Sequence, residues 1–181
     1  MRVITGSAKG QTLKVPKFVS RPTTDRVKEA VFSILGNTVE KAKVLDLFAG
    51  SGALGIEALS RGATECHFIE QDRHAARVVS ENLKKTQLEM RARVTQADAL
   101  IFVKGARDFD LVLADPPYAV GHENLAGDLL VAADWTKVLK KGGLLVMECE
   151  TRGEPLQVEN LTLLTQRDYG RSRVLVFQNS D

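Results

Sequence analysis

The sequence predicts an α/β chain folded on a doubly wound, mostly parallel sheet. Two observations carry that expectation. From Lys43 onward, short apolar runs alternate with segments of helical spacing, as repeated βα units require. The first of these runs also opens into a helix through a glycine-rich turn, Gly50-Ser51-Gly52-Ala53-Leu54-Gly55. At 181 residues the chain fits one domain with a small appendage. Its 44% hydrophobic and 27% charged content is that of a globular protein able to bury a core.

The elements follow in order. Residues 2–5 and 11–15 read as two short strands around the turn-rich Gly6-Ser7-Ala8-Lys9-Gly10, a hairpin extension over residues 1–20. The main domain is expected over 21–181. Thr23-Thr24-Asp25 offers helix N-cap candidates, and Val27, Ala30, Val31, Ile34 and Leu35 then form one apolar stripe, with Lys28 and Glu29 off it. Strands are expected at 44–48, 66–69, 93–95, 109–114 and 144–149, and a closing antiparallel pair at 161–165 and 173–178. Helices are expected at 53–61, 72–86 and 124–139, the last ended by Gly142-Gly143.

Several classes are disfavoured. The N-terminus lacks the apolar core of a signal peptide, and no run reaches the roughly 20 apolar residues of a membrane span. A cytoplasmic protein is expected. Cys66 and Cys149 lie in strand-like runs far apart, and His67, His74 and His122 form no ligand pattern, so buried thiols and no metal are expected. Charge is uneven: residues 1–28 carry seven basic side chains against Asp25 alone, while the remainder is net −4. That asymmetry fits a basic arm meeting a polyanion, and equally a lysine-rich solvated surface.

The glycine turn suggests a nucleotide-type ligand, with nicotinamide dinucleotides as one option. Glu70 ends the second strand, where a carboxylate can accept both ribose hydroxyls. Asp46, ahead of the glycines, separates the options. An anionic pyrophosphate would be repelled there, whereas the sulfonium and ammonium of S-adenosylmethionine would be attracted. Asp98 can accept an adenine amino group. Phe48 in the turn and Ala99 beside Asp98 complete the candidate cofactor residues with Gly50 and Gly52. Asp46 and Asp98 can also act simply as caps.

Asp115-Pro116-Pro117-Tyr118 follows the strand at 109–114. It sets a carboxylate, two rigid prolines and a ring just past a strand's carboxyl end, where open α/β sheets hold ligands. Asp115 can accept one proton of an exocyclic amine and the Pro116 carbonyl the other, while Tyr118 stacks on the base. The bland alternative is a proline-stiffened turn.

These segments resemble the class I methyltransferases with a D-P-P-Y motif. More closely, the chain is similar to the bacterial family that methylates N2 of one guanine in 16S ribosomal RNA. The specific segments are Arg21-Pro22-Thr23-Thr24-Asp25-Arg26-Val27-Lys28-Glu29, the Asp46 to Gly55 turn, and Glu57-Ala58-Leu59-Ser60-Arg61-Gly62. The resemblance implies a seven-stranded Rossmann-like sheet and S-adenosyl-L-methionine as donor. It implies a 30S subunit or its assembly intermediate as substrate, and that Arg2, Lys9, Arg21, Thr24, Arg26 and Lys28 bear on RNA or on the active-site mouth; Arg21, Arg26 and Lys28 can instead pair with acids of the body. A monomer is expected. Adenine-N6 transfer, glutamine methylation, a nicotinamide oxidoreductase and a silent RNA-binding domain remain as alternatives. Asp115 in place of asparagine opposes the glutamine enzyme, and Asp46 opposes the oxidoreductase.

Overall fold

The computed structural model describes residues 1–16, 24–117, 124–151 and 158–180. Among these, seven strands form one sheet: β1 Lys43–Leu47, β2 Glu65–Glu70, β3 Ala92–Gln96, β4 Phe109–Ala114, β5 Leu139–Glu150, β6 Leu161–Tyr169 and β7 Ser172–Asn179. Their order is β3-β2-β1-β4-β5-β7-β6. Strands β1 to β5 run parallel, and β7 lies antiparallel between β5 and β6. Helices α1 Asp25–Leu35, α2 Ala53–Ser60, α3 Arg73–Thr86, α4 Ala99–Phe102, α5 Leu125–Ala132 and α6 Trp135–Val138 accompany the strands. Among the described residues, no helix is long and apolar enough to cross a membrane.

Helices cover both faces, so the central strands read as continuous apolar runs. Val44, Leu111, Leu113, Val146 and Val174 belong to one core. Leu45, Leu47, Val112, Ala114 and Met147 belong to the other. Cys66 and Cys149 are free, buried thiols; burial raises both pKa values, that of Cys149 to about 11. Helix α2 sits so close to the sheet that a Cβ on Gly55 would lie 2.3 Å from a Phe68 ring carbon and 2.7 Å from Cys66 Sγ.

Two expectations are corrected. Residues 2–5 and 11–15 pair over a shorter stretch than two full strands: one antiparallel bridge joins Arg2 to Thr12, with Val3 N–H donating to the Gln11 carbonyl at 2.9 Å and Leu13 N–H to the Met1 carbonyl at 3.0 Å. Backbone amides near the turn are held by α2 instead of by a longer ladder. Ile4 and Thr5 N–H donate to the Glu57 carboxylate at 2.7 and 3.0 Å, and Ser7 N–H donates to the Ser60 carbonyl at 2.9 Å. The expected helix at 124–139 is also divided. Asp134 caps a new turn by accepting from Thr136 N–H, and Trp135 Nε1 donates back to the Leu130 carbonyl at 2.9 Å. Gly142-Gly143 lies within β5, where the pairing with β4 shifts register.

Candidate active site

Strand order reverses between β1 and β4, and a cavity of about 410 Å³ lies beside the carboxyl ends of the strands. This is the crevice in which open α/β sheets bind ligands, and its size suits a cofactor. The turn after β1 forms its floor. Gly50 and Gly52 adopt φ of 57° and 78°, values that glycine reaches without a Cβ penalty. Phe48, with a side chain, also has positive φ at 59°, a costly conformation of the kind that collects at ligand sites. The turn is tied down by Gly52 N–H donating to the Ala49 carbonyl at 2.7 Å.

Glu70, at the end of β2, grips this turn. Its Oε2 accepts from Gly50 N–H and its Oε1 from Asp72 N–H, each at 2.8 Å. Both oxygens are thereby oriented before a ligand arrives. Asp46 is 2% exposed and accepts from Gly55 N–H at 2.9 Å. Burial raises its pKa well above the usual carboxylate range, and the nearby Asp115 and Glu70 push it the same way. Asp98 caps α4 through one oxygen, accepting from Ile101 N–H at 3.0 Å. Ala99 is buried beside it and lines the cavity. Asp115, Pro116 and Pro117 line the side nearest β4.

The described lining carries six acids, Asp46, Glu70, Asp72, Asp98, Asp115 and Glu148, with no lysine or arginine. Such a wall repels phosphates and attracts a cationic ligand. The residues present therefore fit S-adenosylmethionine: a sulfonium and an ammonium would offset the carboxylates, Asp46 among them, and Glu70 and Asp98 offer acceptors of the kind that a ribose and an adenine amine need. They do not fit a dinucleotide pyrophosphate.

The candidate RNA residues are more dispersed. Thr24 caps α1, accepting from Val27 N–H at 3.3 Å, and lines the cavity. Lys9 and Arg26 are exposed, and exposed Arg2 lies 4.0 Å from Asp25. Arg21 and Tyr118 lie outside the described residues. Lys28 is a correction: it is fully buried, and no RNA phosphate reaches it. Its Nζ donates to the Arg2 carbonyl and lies 3.5 Å from Glu57. The helical stripe placed it outside the core, but the N-terminal segment folds over that side of α1.

Sequence spacing also missed residues that shape the cavity. Asn82 of α3 donates to the carbonyls of Ser51 and Lys14 at 2.8 and 2.9 Å, joining the glycine turn to the N-terminal segment. Met1 and Pro16 of that segment line the cavity. Glu148 and Ser172 do so from β5 and β7. The one readable signal for Glu148 was an acid interrupting the apolar run 144–149.

Fold and site together define a class I methyltransferase that takes its methyl group from S-adenosylmethionine. A family model described as Conserved hypothetical protein 95 matches residues 1–178. Bacillus subtilis YlbH is 39% identical over 98% of both chains. Ribosomal RNA small subunit methyltransferase D of Haemophilus influenzae is 35% identical, covering 99% of this chain and 94% of its own. The solved Escherichia coli protein yhhF superposes with a TM-score of 0.84 at 34% identity, covering 99% of this chain and 97% of that one. The chain belongs to this family, with the ribosomal RNA small subunit methyltransferase D proteins that it matches over nearly its whole length.

Proposed function

We propose that this protein methylates the exocyclic N2 of a guanine in 16S ribosomal RNA, in the assembled or assembling small subunit, in the cytoplasm. The observation that carries the reading is Asp115-Pro116-Pro117 at the wall of a cavity lined by acids and free of lysine and arginine among its described residues. The names of the methyltransferase D relatives supply the RNA, and the resemblance carried by the Arg21 to Glu29 segment supplies the guanine.

Asp46, Gly50, Gly52, Glu70, Asp98 and Ala99 would hold the cofactor, with Phe48 against it. Bound S-adenosylmethionine supplies an electrophilic methyl group on a cationic sulfur. The protein's task is to present the amine. An exocyclic amine is a weak nucleophile because its lone pair is delocalised into the ring. Asp115 accepts one of its protons and the Pro116 carbonyl accepts the other, which biases the nitrogen toward a tetrahedral lone pair. Proline fixes φ, so the carbonyl is positioned beforehand. Alignment of the amine supplies much of the acceleration. Asp115, or water beside it, takes up the proton released after transfer. Tyr118 stacks on the base, which must first leave its helical stack at a cost of a few kcal/mol.

Residues 1–20 serve as an RNA-facing extension of the domain spanning 21–181, with Arg2, Lys9, Arg21, Thr24 and Arg26 at its contact surface. The protein acts as a monomer without metal. The test is labelled methyl transfer to naked 16S RNA, to 30S particles and to DNA, with the modified nucleoside identified. N2-methylguanine in RNA is expected; N6-methyladenine, or transfer to DNA alone, would refute the reading. Asp115→Ala should retain cofactor binding by calorimetry and lose at least about a hundredfold in turnover, the lower scale for general acid–base groups. Near-wild-type methylation by that variant would remove Asp115 from its role.

A further inference from the structure

Glu148 and Ser172 line the same cavity as Asp115 and are 8% and 3% exposed. A carboxylate is seldom placed at a buried strand position for packing. Strand pairing sets both residues on Asp115's side of the sheet. Leu113 pairs with Val146, and Glu148 pairs with Val174. Leu113, Val146 and Val174 share one core, whereas Ala114, Met147 and Leu175 share the other. Side chains alternate along a strand. Asp115 lies two residues past Leu113, Glu148 two past Val146, and Ser172 two before Val174. All three therefore continue one face toward the cavity. Across the sheet, in the order β4, β5, β7, they present a carboxylate, a carboxylate and a hydroxyl, with Ser172 opposite Glu150 and so two residues further toward the carboxyl end of β5 than Glu148.

Guanine displays two donors and an acceptor along one edge: the N2 amine, N1–H and O6. We infer that Glu148 and Ser172 read this edge, Glu148 accepting from N1–H and Ser172 donating to O6, while Asp115 holds the amine. The inference rests on the guanine-N2 reading above. Its force lies in the sequence of groups: the hydroxyl follows the two carboxylates as O6 follows the two donors. Adenine carries a lone pair at N1 next to its amine. That lone pair would face the Glu148 carboxylate, leaving a buried acceptor against an acceptor. A mismatch of this kind discriminates far more strongly than a change of shape.

The test compares small-subunit RNA bearing guanine or 2-aminopurine at the modified position. 2-Aminopurine keeps the 2-amine, has a lone pair at N1 and lacks O6. The wild-type protein should methylate the 2-aminopurine RNA at least about a hundredfold less efficiently in kcat/KM, as sites built to hydrogen-bond a substrate group do. Glu148→Gln, whose amide also donates, should narrow that ratio by about tenfold or more, chiefly through a gain on 2-aminopurine, one hydrogen bond's worth of selectivity. Ser172→Ala should lower transfer to guanine alone. Adenosylmethionine affinity, measured by calorimetry, separates loss of recognition from loss of fold. Equal wild-type rates on the two bases would overturn the inference whatever the variants do. So would an unchanged ratio in variants that still bind cofactor. A methylated adenine as the wild-type product would refute the guanine reading itself; N2-methylguanine made with indifference to Glu148 would refute this inference alone.

Discussion

Asp46 sets a cost in stability against its proposed role in holding the cofactor. Burial is the main cause of its raised pKa, with Asp115 and Glu70 adding to it and the Gly55 N–H opposing it. A raised carboxylate binds its proton more readily in the native state than in the unfolded chain. Stability is therefore greatest below the ordinary aspartate pKa, falls as pH rises through that value, and stays low above the folded pKa. Asp46→Asn keeps an oxygen for Gly55 N–H and removes the charge. In the absence of cofactor it should melt higher than wild type at neutral pH, with the gap closing in acid. It should also bind adenosylmethionine at least about tenfold more weakly, the scale of one charge-assisted hydrogen bond. A variant that melts lower at neutral pH would contradict this account. Glu70→Ala should weaken cofactor binding by about 1.5–3 kcal/mol, the range for hydrogen bonds to charged groups. Unchanged affinity in calorimetry would take Glu70 out of the site. The placement of these residues at the cavity was legible in the sequence because each stands at a strand end or in a turn, where spacing along the chain and placement in space coincide. Glu148 and Ser172 were not, because they reach the cavity through the pairing of β5 with β7, which linear spacing does not encode.

Helix α2 shows the same rule among the elements. All of its residues are buried, and its position against β2 is set by Gly55. Glycine in a helix costs about 0.5–1 kcal/mol relative to alanine. Gly55→Ala would recover that, but its Cβ would fall 2.3 Å from the buried Phe68 ring. Overpacking of this kind costs about 1–3 kcal/mol, so the clash wins. The variant should unfold at lower urea concentration with an unchanged slope, and bind cofactor less tightly because α2 carries the turn outward. A stabilised Gly55→Ala would show that the helix has room to shift. The strand–helix alternation from β1 to β4 was readable because each element meets its neighbour in the sheet or across a core. The division between α5 and α6 was not. There the apolar spacing continues unbroken, and the break comes from Asp134 capping a new turn and from the Trp135 indole bonding backward.

Across the whole molecule, the basic first 28 residues overstate the charge available to a polyanion. Lys28 is enclosed with Glu57, which also accepts from Arg61 Nε at 2.8 Å and from the Ile4 and Thr5 amides. Lys14 lies 2.8 Å from Glu81, and Arg2 lies beside Asp25. Desolvation lowers the Lys28 pKa, while Glu57 and Asp25 draw it back up. The N-terminal segment is thus fastened to α1 and α2 by a buried charge, and two uses of basic residues become separable by experiment. Lys28→Met breaks the buried pair and should cost about 3–5 kcal/mol in unfolding free energy. Where it remains folded, it should leave the salt dependence of RNA binding unchanged. Lys9→Glu with Arg26→Glu alters exposed positions and should leave the unfolding free energy within about 0.5 kcal/mol. That double variant should bind RNA more weakly and lower the slope of log affinity against log salt by about one for each phosphate it no longer neutralises. The two effects should not mix. A flattened slope in Lys28→Met would show that Lys28 meets phosphate in the complex despite its burial, and an unchanged slope in the double variant would place the RNA on another face of the protein.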